Sequence, residues 1–123
     1  MQLTTKTIIK VLPLSDELKK TLLDNYDTLL PNQKFLVEDV AWNTYYALYK
    51  LRLQENMELA LMRAQKNQEK LDDTFYQRVE QQTEKEMQSE SLEKTETVDL
   101  SAARKAMEVI VKEIHAAKAA KKQ

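Results

Sequence analysis

His115 is the one histidine of the chain, and its sequence neighbours decide whether it can do chemistry. A catalytic histidine needs a positioned carboxylate or nucleophile, and a metal site needs two or three further ligands. Glu113 points elsewhere on a helix, Glu108 lies about two turns away, and the Glu-x-x-His pair of di-iron bundles is missing. His115 therefore reads as a surface side chain. Asp72 with Asp73, or Glu80 with Glu84, could pair for acid–base work or hold a cation. That spacing is common in polar helices, however, where it serves solubility and i,i+4 pairs of roughly a few tenths of a kcal/mol. Glycine and cysteine are both absent, so the chain has no phosphate loop, no dinucleotide fingerprint, no thiolate nucleophile and no disulfide. No catalytic residue, cofactor or metal is assigned, and a protein without enzymatic activity is expected.

Two other groups of residues suit binding. Trp42, Tyr45, Tyr46 and Tyr49 recur at i, i+3, i+4 and i+7, which gathers four rings on one side of a helix with their polar tips toward a wet rim. Tyrosine and tryptophan favour interfaces for that reason. The same stripe also suits an ordinary core covered by the first and last helices, or a ligand groove. Near the C-terminus, Lys118, Lys121 and Lys122 make a basic end that could meet nucleic-acid phosphates. Cations there also complement the negative end of a helix dipole.

The elements that must position these groups are helices. The absence of glycine, with proline only at Pro13 and Pro31, removes the residues that tight hairpin turns require. Alanine, leucine, glutamate, lysine and glutamine, the residues that lose least in a helix, dominate instead. Residues 1–14 are the exception. Their β-branched run of Thr4, Thr5, Thr7, Ile8, Ile9 and Val11 suits an extended arm lying on helices, with a strand pairing with another copy, or a helix stopped by Pro13, as alternatives. Ser15 followed by Asp16 and Glu17 is a good helix start, and Leu18, Leu22, Tyr26 and Leu29 recur at helical spacing. Pro31 ends that helix and opens the next, so the two should form a hairpin.

The second helix has no obvious stop before the mid-80s, and its middle is apolar on both sides. Phe35, Trp42, Tyr46, Leu53 and Met57 lie on one; Leu36, Val37, Val40, Leu48 and Leu51 lie on the other. A helix apolar all round must be covered on more than one side. Unbroken from Asn32 to Val79 it would be about 70 Å long, twice the ~35 Å diameter expected for a compact domain of this size. Either it breaks, at Asn67 or at Asp72 and Asp73, or the molecule is elongated, and elongation is the expectation. Residues 15–88 are thus read as a helical hairpin with a long central helix, 89–99 as an acidic linker, and 100–123 as a C-terminal helix packing back. In that last helix Leu100, Ala103, Met107, Ile110, Ile114 and Ala117 step by threes and fours. Too short for a coiled coil, the seam suits a bundle helix, and Met107, Ile110 and Ile114 are assigned with the rings to partner binding.

Formal net charge is -1, and the charge runs from neutral through acidic to basic along the chain. No secretory leader and no membrane span is expected, and the lack of cysteine fits a reducing cytoplasm. The sequence thus points to an all-α protein, an elongated bundle or hairpin completed by oligomerisation, that acts as a protein–protein interaction or assembly module and associates with itself. The alternative is a nucleic-acid- or ribosome-associated accessory protein using the basic C-terminal helix.

Overall fold

A local signal overrides the β-branched composition at the N-terminus. In this computed structural model, which describes residues 3–89 and 100–121, Thr5–Val11 is a helix, α1, not an extended arm. Thr4 and Thr7 cap each other: the Thr7 amide donates to Thr4 Oγ1 at 3.2 Å and the Thr4 amide to Thr7 Oγ1 at 2.8 Å. This reciprocal cap satisfies two backbone donors. The helix places Ile8, Ile9 and Leu12 together in the core, all but inaccessible to solvent. Leu12, preceding Pro13, turns to extended backbone and stops it, as the clash with a proline ring requires. Of the three readings open for this segment, the helix stopped by Pro13 is the one adopted.

Helix α2, Asp16–Asn25, starts as its sequence indicates, with Ser15 Oγ accepting from the Leu18 amide at 3.2 Å and Asp16 and Glu17 in the first turn. It buries Leu18 and Leu22 and tightens into a 3-10 turn over Tyr26–Thr28. Pro31 opens α3, which runs unbroken for 35 residues to Gln65, about 52 Å. There the helix ends, at the first of the two breaks considered, and does not continue to Val79; its length still exceeds the ~35 Å expected of a compact domain. Asn67 takes a φ of 60°, the Gln68 amide donates to the Arg63 carbonyl at 2.8 Å, and the Asn67 amide donates to the Ala64 carbonyl at 3.1 Å. This pair of bonds is a Schellman termination, in which asparagine replaces the usual glycine because its short polar side chain tolerates the left-handed region.

The chain then reverses, and α4, Phe75–Ser89, packs back along α3. Phe75 and Val79 bury against Ala60, with Leu53 and Met57 half-covered beside them. Helix α5, Ser101–Lys121, lies across α2 and α3. Among the described residues there is no strand, and the long central helix packs against α1, α4 and α5. Several neighbours are what a helix apolar around its circumference demands. The main core joins α1, α2, the first half of α3, Met87 of α4 and the seam of α5. The linker expected over 89–99 lies outside the described residues apart from Ser89, the last residue of α4.

Candidate interaction site

The first half of α3 has two opposite sides. Val37, Ala41, Tyr45 and Leu48 face inward and are buried. Their spacing of three and four keeps them on one stripe. On the reverse, Phe35 is 70% exposed, Trp42 41% and Tyr46 57%. These three stand at i, i+7 and i+11, which at about 100° per residue lie within some 40° of one another.

The four rings assigned to a common face are therefore divided. Tyr45 is only 8% exposed because it sits about 60° inward of Trp42 and 100° inward of Tyr46, enough to turn its ring into the core. It lines a mostly apolar cleft of about 290 Å³ with Leu3, Val11 and Met87. Tyr49 is half-buried. Burial raises the pKa of both phenols, and the Glu84 charge adds to it. Trp42 and Tyr46 remain outside, and Phe35, seven residues before Trp42 on the same line, joins them. Phe35 stands outside the i, i+3, i+4, i+7 cluster that marked the site in the sequence, and its seven-residue spacing from Trp42 is the signal that places it on the same line.

The exposed rings are held rather than loose. Trp42 Nε1 donates to Thr5 Oγ1 of α1 at 3.0 Å, which fixes the indole plane. The Lys50 ammonium sits 4.5 Å from the centre of the Tyr46 ring, a cation–π arrangement. To one side of these rings on α3, Asn43 Nδ2 donates to Asp39 Oδ1 at 3.1 Å. At the edge of the patch Tyr26 donates its phenol proton to Glu38 Oε1 at 2.6 Å, with Lys6 and Lys34 over its ring at 5.5 and 4.9 Å. Burial first, and the Glu38 hydrogen bond second, hold the Tyr26 phenol above its ordinary pKa. Rings immobilised before binding lose little side-chain entropy on association.

The seam of α5 is a different matter. Met107, Ile110 and Ile114, assigned to a partner, are buried in the chain's own core. Their three-four spacing is satisfied by α2 and α3 of the same molecule, so these residues are withdrawn from the partner surface. Gln33 Nε2 reinforces that packing by donating to Glu113 Oε2 at 2.6 Å, and Arg104 donates to the Pro13 carbonyl at 3.1 Å.

Of the basic group, Lys118 is exposed beside a cleft that it shares with Glu113. Lys121 closes α5, and Lys122 lies outside the described residues. His115 is exposed on α5. Of the acids weighed as cation ligands, Asp72 pairs with Arg78 at 2.8 Å, and Glu69 joins it on the same guanidinium at 2.9 Å. Among the described residues no group of three or more histidines or acids is arranged to hold a metal ion, and no helix is long and apolar enough to cross a membrane.

Comparison of the chain with protein-family models, with curated proteins and with solved structures gave no match.

Proposed function

We propose that this chain is a non-enzymatic, cytoplasmic helical module for protein–protein interaction or assembly, and that it docks through the outward side of the first half of α3. One observation carries the reading: Phe35, Trp42 and Tyr46 stand in a line, exposed, on the helix whose opposite side forms the core. Scattered apolar side chains on a surface need no explanation, but an ordered aromatic line does. Tryptophan and tyrosine in such a position are the residue types that concentrate binding energy at interfaces. The hydrogen bond from Trp42 to Thr5 and the Lys50 ammonium over Tyr46 support it further, because they hold the rings in place in the free molecule.

In-cell photocrosslinking tests the reading. A photoreactive phenylalanine analogue in place of Tyr46 is expected to yield discrete protein adducts, identified by mass spectrometry. The same analogue in place of exposed Lys112 on α5 is expected to yield none. Absence of adducts at both positions, in a protein that folds normally, would remove the interaction reading.

A further inference from the structure

The charges on the exposed side of α3 say more about what it meets. Asp39 and Lys50 are both exposed and eleven residues apart, three helical turns to within about 20°, so they lie on one line flanking the rings. Neither forms an ion pair within the chain among the described residues. Each is instead half of a local pair: Asp39 accepts from Asn43 at 3.1 Å, and Lys50 stacks over Tyr46 at 4.5 Å.

We infer that the partner of this surface is a second copy of the chain, its α3 antiparallel to the first about a two-fold axis passing between residues 44 and 45. In that register Asp39 of each copy meets Lys50 of the other, and Asn43 meets Tyr46, so the two local pairs face each other twice by symmetry. Trp42 meets Ala47, which is exposed and small and leaves room for an indole. A parallel in-register pair would set Asp39 against Asp39 and Lys50 against Lys50, and like charges in juxtaposition oppose association. A head-to-tail pairing leaves one charge of each kind unmatched and does not close. Charge complementarity thus selects one arrangement, and a two-fold interface of this kind is self-limiting. The inference rests on the proposed interaction role and narrows it.

Three turns of one helix form a small interface, so affinity is expected in the micromolar range. Sedimentation of the full chain from about 1 to 500 µM, a range that brackets such affinities, should show a reversible monomer–dimer equilibrium. Asp39→Lys and Lys50→Asp should each weaken it by about tenfold or more, since each creates two like-charge contacts. The double variant Asp39→Lys with Lys50→Asp should restore it toward the native value. Both positions are exposed, and circular dichroism of each variant checks that the fold is kept.

A native chain that stays monomeric throughout, single variants that dimerise as tightly as the native chain, or a double variant that fails to recover would each overturn the inference. The photocrosslinking separates this from the wider reading. A monomeric chain that still forms adducts at position 46 with a different protein loses the second copy as partner and keeps the interaction role. A monomeric chain without adducts loses both.

Discussion

Asn56 of α3 donates through Nδ2 to the hydroxyl of Thr83 on α4 at 2.9 Å, and Thr83 in turn donates to the Val79 carbonyl at 2.8 Å. Thr83 is completely buried, so this short relay is a buried polar contact that helps set the register of α4 on α3. Asn56 also reaches Glu86 at 2.9 Å, and Arg52 lies 3.7 Å from the same carboxylate.

Thr83→Val keeps the shape and removes both bonds. Denaturant unfolding should show a loss of about 1–2 kcal/mol, the usual penalty for leaving a partly buried donor without its partner. In a background already carrying Asn56→Ala the same change should cost less by about 0.5–1.5 kcal/mol, because the shared bond has already been removed. Fully additive costs would mean that the relay does not couple the two helices.

Asn67 makes the reversal between α3 and α4, with its φ at 60°. Asn67→Gly should be tolerated or slightly stabilising, whereas Asn67→Val should cost about 1–2 kcal/mol, since a Cβ, and a branched one above all, crowds the carbonyl in left-handed backbone. Equal thermal midpoints for the two variants would contradict the termination described.

Asp72 closes the loop between those helices by accepting from Arg78 at 2.8 Å and from Thr74 at 2.9 Å. The Arg78 hydrogen bond first, and that of Thr74 second, lower its carboxyl from 3.8 to about 2. A depressed carboxyl contributes stability that is fully present above its unfolded value and is lost as pH falls through the folded one. The clamp should therefore hold above pH 3.8 and release on descent toward 2. NMR titration of the Asp72 carboxyl should give that low midpoint, and Arg78→Gln should move it upward toward the ordinary value. A native midpoint already near 3.8 would show that the clamp does not form in solution.

Ile8 and Phe35 test the division between core and surface. Ile8→Ala empties a fully buried position and should cost about 2–5 kcal/mol, whereas Phe35→Ala should stay within about 0.5 kcal/mol in the monomer. Chemical denaturation of the dilute protein measures both. A large loss at Phe35 would mean that its ring is part of the monomer's own packing.

Much of this architecture was written locally. The cap at Ser15, the stops before Pro13 and Pro31, the helical stripe of α2 and the seam of α5 each depend on residues within one or two turns of each other, and interactions of that range can be read directly from spacing. The same locality misled at the N-terminus. Six β-branched residues favour extended backbone by composition, but the Thr4–Thr7 cap and the burial of Ile8, Ile9 and Leu12 against α2 and α3 outweigh a propensity difference of about a few tenths of a kcal/mol per residue.

By itself the sequence determined that the chain is helical and that α3 is apolar around its circumference, because propensity and periodicity are properties of neighbouring residues. Tertiary structure alone decided which flanks are covered. Asn67 and the burial of Phe75 and Val79 on Ala60 turn the helix back where propensity would have let it continue. Packing of α5 takes Met107, Ile110 and Ile114 into the core, and the inward tilt of Tyr45 leaves Trp42, Tyr46 and Phe35 as the open aromatic line. The physical reason is that an apolar face carries no mark of what will lie against it: coverage is set by contacts between residues far apart in the chain, whose formation depends on the whole packed arrangement.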